Sequence, residues 1–162
     1  MPVDVDKFHE RCGKLLRFRA AIESYLELLL SHYFDPPLSY KIDMDFAKMS
    51  LEQKKFLYRK ICEREGIAPN KIQKIMSGIS RIQKVGNSIA HHDSFIFDQN
   101  HPNIFMRPKK VSTKKSDLIE VTEELVKEID AIRLKTFHSM NGIYVETHDK
   151  RRRQLSLYED KK

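Results

Sequence analysis

Positions 8, 12, 15, 19, 22, 26, 29 and 33 of the chain step by four and three, and all but Arg19 are apolar: Phe8, Cys12, Leu15, Ile22, Leu26, Leu29 and Tyr33. That period predicts one long helix over residues 5–34 with a continuous buried face. Phe18, Ala21, Tyr25 and Leu28 add a second apolar face over its later turns. A helix apolar on two sides needs cover from its own domain and offers a surface to a second subunit. The run "FDPPLS" then ends it, because tandem prolines cannot continue the hydrogen-bond ladder.

A second helix is predicted within "DMDFAKMSLEQKKFLYRKICEREG". Ser50 followed by Gln53 is a capping-box pattern, and Gly66 stands where a helix closes in a left-handed turn. "IAPN" leads into a third helix, with Asn70 as the expected N-cap and Ile72, Ile75, Ile79, Ile82, Gly86 and Ile89 as its buried stripe. Gly86 falls on that stripe, where it costs about 1 kcal/mol against alanine. The usual return for such a glycine is close approach of another backbone or side chain.

The texture changes after His92. "SFIFDQNHPNIFMRP" predicts two short β-runs around a turn at Asn100–Asn103, and "KKVSTKK" a basic loop. A fourth helix follows through Leu118, Val121, Leu125, Ile129, Ile132 and Phe137, unless its first residues are extended and Thr122 is the cap. "NG" at 141–142 is expected to close it, leaving residues 141–162 as a basic, partly ordered tail after a helical domain over 1–140. The fold class is all-α: an antiparallel helical bundle with a short β-hairpin inserted before the last helix.

The third helix also has a polar side. Ser77, Arg81, Lys84, Ser88 and His91 step by four, three, four and three, Asn87 borders them, and His92 follows Ser88 by four. Such a stripe is most often a solvated face, and a histidine in a last turn complements the helix dipole. Its chemistry is nevertheless that of phosphate and protons. Lysine and arginine hold phosphate, arginine in bidentate fashion, and imidazole takes or gives a proton near neutral pH. His91 and His92 diverge by about 100° on a helix, so together they make a poor metal grip, and no metal or other cofactor is implied.

A formal charge of +7 favours a polyanionic partner. "RPKKVSTKK", with Lys109 and Lys110, and "KRRR" are candidate tracks for an RNA backbone, and Arg19 either snorkels from the core edge, pairs with Glu23, or enters the polar site. Cys12 and Cys62 lie far apart with no CxxC, which fits two buried thiols in a reducing cytosol. The first residues carry no apolar signal-peptide core and "YLELLL" is too short to cross a bilayer, so a cytoplasmic protein without membrane association is expected.

"GNSIAHH" resembles the signature closing the third helix of HEPN domains (higher eukaryotes and prokaryotes nucleotide-binding), in which arginine, a polar residue and three further residues lead to histidine. Asn87, Ile89, Ala90 and His91 match it, and the order of elements over residues 5–140 is similar. The resemblance implies a metal-independent endoribonuclease of toxin or defence type, acting on single-stranded RNA as a homodimer, with an antitoxin or other protein as a further partner. It implies His91 as general acid or base, Asn87 as the group orienting phosphate or imidazole, and Lys84 as an assisting cation. Arg81, Ser88, His92, Arg19, Lys109 and Lys110 are then candidate RNA-binding residues. The family's arginine position is Gly86 here, so a HEPN-like module that binds RNA or protein without cleaving stands as the alternative.

Overall fold

The structure is a computed structural model that describes the backbone of residues 4–33, 46–96, 105–108 and 119–159, and the side chains of residues 4–33, 46–91 and 119–150. In chain order it consists of α1 (Val5–Tyr33), a 3-10 turn (Phe46–Lys48), α2 (Leu51–Arg64), α3 (Pro69–Ala90), strands β1 (His92–Ile96), β2 (Phe105–Pro108) and β3 (Ile119–Glu120), and α4 (Glu123–Glu159). Helix dominates, and the class is all-α. β2 pairs antiparallel with β1 and with β3, and a register irregularity falls between His92 and Ser94. The expected turn at 100–103 and the basic loop lie outside the described residues. No helix among the described residues is long and apolar enough to cross a membrane.

Local chemistry explains where the helices begin and end. Asp4 Oδ1 accepts from the Lys7 amide at 3.0 Å and opens α1. At α2 the capping box is complete: the Gln53 amide donates to Ser50 Oγ at 3.3 Å, and the Ser50 amide donates to Gln53 Oε1 at 2.8 Å. Gly66, at φ +73°, turns the chain out of α2, and the Ile67 amide donates to the Cys62 carbonyl at 3.0 Å. α3 begins at Pro69, one residue before the expected cap Asn70. Proline suits a first helical position because its missing N–H would have no partner there, so Asn70 already lies within the helix. Thr122 caps α4, its Oγ1 accepting from the Leu125 amide at 3.0 Å, after the extended pair Ile119–Glu120.

The helix α4 does not end at Asn141–Gly142 but runs on to Glu159. Thr136, Met140, Ile143 and Thr147, stepping by four, three and four, are all buried, so the packing face continues through the dipeptide. That burial outweighs the turn preference of Asn-Gly, and residues 141–150 are helical rather than a tail.

The chain divides into two compact units, Met1–Ile22 with Gly78–Leu134, and Glu23–Ser77 with Lys135–Lys162. In the first, Phe8, Cys12, Leu15 and Ile22 of α1 are buried, as are Ile79, Ile82, Val85 and Ile89 of α3 and Val121, Val126 and Ile129 around the start of α4. Arg133 lies over the Phe18 ring at 4.9 Å. In the second, the core holds Leu26, Leu29 and Leu30, Tyr58 and Cys62, Ile72 and Ile75, and Met140 and Ile143. Tyr25 packs on Phe137 with ring centroids 4.9 Å apart, which covers part of the second apolar face of α1. Leu28 on that face remains exposed.

Candidate functional site

The six-residue stripe of α3 from Ile72 to Ile89 is buried throughout, and this fixes the direction of the polar residues between its members. Along the last four turns those residues divide into two groups. Arg81 is engaged: its Nε and Nη2 both donate to Glu128 Oε1, at 3.0 and 2.9 Å. Ser88 is buried, and its hydroxyl donates back to the Lys84 carbonyl at 2.9 Å, a common arrangement for serine within a helix. Lys84 and His91 are exposed. The His91 amide donates to the Asn87 carbonyl at 2.9 Å, so the imidazole sits one turn beyond Asn87 on the closing turn of α3.

Asn87 is the unusual member. It is only partly exposed, and its side-chain oxygen is buried without a hydrogen-bond partner among the described residues. Losing water without gaining a donor costs such an oxygen about 1–3 kcal/mol. Buried polar atoms are nearly always paired in folded proteins, with protein or ordered water, so this oxygen stands out among the described residues.

Gly86, immediately before it, is occupied from outside. A Cβ at this position would lie 2.6 Å from Cδ of Arg19, 2.8 Å from its Cβ and 3.1 Å from its Cγ. The stem of Arg19 therefore crosses α3 at the only side-chain type that lets it pass. The Nε of Arg19 is also buried and also lacks a partner among the described residues. Glu23, one turn along α1, is instead engaged with Lys54 at 2.9 Å, so Arg19 does not pair with it. Of the three roles open to Arg19 from sequence, the pair with Glu23 is not made, and the stem of this half-buried side chain packs against Gly86.

Of the nine residues singled out in sequence, Asn87 and His91 lie on the closing turn of α3, Arg19 packs its stem against Gly86, and Lys84 is exposed one turn before Ser88. Arg81 and Ser88 belong to local bonds. The side chains of His92, Lys109 and Lys110 lie outside the described residues, as do those of Asp93, Phe95 and Phe105. Sequence inspection marked Arg19 and Gly86 separately, each as an oddity on an otherwise apolar stripe; that shared oddity was the signal that they meet.

Two further groups lie elsewhere. Lys54 is fully buried, and its ammonium donates to Glu23 at 2.9 Å and to Glu27. Burial opposes its charge, but the hydrogen bonds it donates to Glu27 and Glu23 more than offset that, and the Lys54 pKa is raised. The buried hydroxyl of Tyr58 lies beside the Cys62 thiol and, with His32, Tyr144 and His148, lines a cavity of about 40 Å³, space enough for a water. Among the described residues, no three His, Cys, Asp or Glu side chains gather in a way that could hold a metal ion.

No family model, no curated protein and no solved structure matches the chain.

Proposed function

We propose that the chain is a HEPN-like, RNA-directed protein, a metal-independent endoribonuclease of toxin or defence type that works as a homodimer, with the closing turn of α3 as its active end. The observation that carries this is the buried, unpartnered side-chain oxygen of Asn87, one helical turn before the exposed imidazole of His91. RNA cleavage without a metal needs little more than these groups and a cation. His91 would take the proton from a ribose 2′-hydroxyl as its oxygen attacks phosphorus, or give one to the departing 5′-oxygen. Asn87 would orient the reacting groups, and nearby cations would hold the charge that develops on phosphorus.

Gly86 favours a second reading, in which the same surface binds RNA or a protein partner and does not cleave. The two separate in one assay. Labelled single-stranded RNA is incubated in EDTA with the wild type and with His91→Ala. Cleavage by the wild type and not by the variant is expected. A folded wild-type protein that binds the RNA and leaves it intact would overturn the nuclease reading and leave the binding one.

A further inference from the structure

We propose that the groove between the first turns of α3 and the middle of α4 binds a small organic anion that carries a phosphate monoester. Lys71, Lys74 and Ile75 line it from α3, and His138, Gly142 and Ile143 from α4, around a volume of about 430 Å³. That volume is within the range of small-molecule sites. All six residues belong to the second compact unit. Neither Asn87 nor His91 lines the groove, so the site stands apart from the function proposed above. Three observations lead to an anion with an apolar part. The first is the placing of charge. Lys71 stands in the first turn of α3, which holds no acid, and Lys74 follows three residues on along the same side. A lysine at that end of a helix opposes the dipole, and the second lysine repels the first. The second is the lack of counter-charge. Both lysines are exposed and neither has an ion-pair partner among the described residues, while Glu146 on the groove wall already accepts from Lys150 at 3.2 Å. A dianionic phosphate between the two ammonium groups supplies what is missing, and the exposed His138 faces it with a ring N–H. The third is the floor. Ile75 and Ile143 are buried side chains, and Gly142 beside them has neither a left-handed φ nor any atom within 4 Å of where a Cβ would lie. Neither backbone nor packing asks for glycine at this helical position, where alanine would be favoured. Its missing side chain keeps the groove open, so the group borne by the phosphate can lie against the two isoleucines.

Phenyl phosphate is the probe, because its dianion and its ring test the two halves of the groove together. Titration calorimetry of the full chain at low salt is expected to give a Kd of about 1 mM or tighter. With Lys71→Met and Lys74→Met combined, the Kd should rise about tenfold or more, the loss of two charge-assisted contacts. Methionine keeps the helix and removes only the charges, so this variant should melt at or above the wild-type temperature. Gly142→Leu fills the groove and favours the helix, and it should abolish binding without loss of stability. Inorganic phosphate should bind more weakly than phenyl phosphate; equal affinity would overturn the assignment of an organic ligand. No heat of binding up to about 10 mM probe, or wild-type affinity in both variants, would overturn the site itself. Displacement of the probe by a single-stranded RNA oligonucleotide would overturn the small-molecule reading and make the groove part of an RNA track. None of these outcomes touches the cleavage assay with His91→Ala, so the two proposals fail separately.

Discussion

Two cations of this protein are withdrawn from solvent in opposite ways. Lys54 is wholly buried, yet its ammonium meets Glu23 and Glu27, and the balance leaves it more firmly protonated than a free lysine. Arg19 is only partly buried, yet its Nε meets no protein acceptor among the described residues. The deeper charge is the settled one. What separates them is the neighbour: two carboxylates one helical turn apart on α1 in the first case, a glycine of α3 in the second. Burial alone therefore does not say whether a charge is satisfied; the groups packed around it do.

The contrast can be broken most severely at Lys54. Lys54→Ala should lower stability by about 2–3 kcal/mol in urea denaturation, because two carboxylates lose their shared cation and the packed stem is lost; their partial exposure keeps the loss below that of a fully buried pair. Arg19→Met should lower it by nothing measurable. Equal losses would mean that both cations are structural.

Raising the pH should sharpen the same difference. The Lys54 pKa is raised in the folded state, so its contribution is whole below the free-lysine value and lost as pH climbs through the folded value. The thiols of Cys12 and Cys62 act with the same sign: burial pushes each up to about 11, so the folded state holds them neutral while the unfolded chain ionises from about pH 8.5. Stability should therefore decline from about pH 8.5 through pH 11, by an amount on the order of 2 kcal/mol per thiol. Replacing both cysteines with alanine should flatten the lower part of that decline and leave the part due to Lys54. A profile unchanged by the replacement would mean the thiols are not protected.

Gly86→Ala probes the other side. The added methyl meets Arg19 Cβ and Cδ at 2.8 and 2.6 Å, and a clash of this kind costs about 1–3 kcal/mol, against roughly 1 kcal/mol gained in helix propensity. A net loss of about 1 kcal/mol is expected. In an Arg19→Gly background the same substitution should stabilise, and a double-mutant cycle would measure the coupling. Additive effects would show that the two residues do not meet. Ser50→Ala should likewise cost about 1 kcal/mol in urea denaturation, by removing the α2 cap, and it should add independently to the loss at Gly86.

How much of this could be read beforehand depended on the range of the interactions. The capping box at Ser50 and Gln53, the left-handed Gly66 and the isoleucine stripe of α3 were all legible, because each is written within a few residues. The continuation of α4 through Asn141–Gly142 was missed. Its evidence, Thr136, Met140, Ile143 and Thr147, was present in the sequence, but two of the four are threonines, which a search for apolar period passes over. The burial of Lys54 was not legible at all. Nothing in "LEQKKFLYRK" separates that lysine from its neighbour; only the fold brings Glu23 and Glu27 to it. The candidate site stands between these cases. Asn87 and His91 could be named from their spacing, and Arg19 and Gly86 from breaking theirs, whereas the meeting of Arg19 with Gly86 spans 67 residues of chain and appears only in three dimensions.

The unbroken passage of α4 through Asn141–Gly142 also bears on how the protein ages. Asparagine followed by glycine is the dipeptide most prone to deamidation, because the glycine nitrogen can close onto the asparagine carboxamide to form a succinimide. Helical geometry holds that nitrogen in the backbone ladder and away from the carbon it would attack, and the Tyr25 hydroxyl donates to Asn141 Oδ1 at 3.4 Å. The bond is thus protected for as long as the helix is intact. Each opening of α4 exposes it to a reaction that does not reverse to asparagine. The fraction of aspartate and isoaspartate at position 141 in a stored sample is then a cumulative record of how often this stretch of helix has come apart.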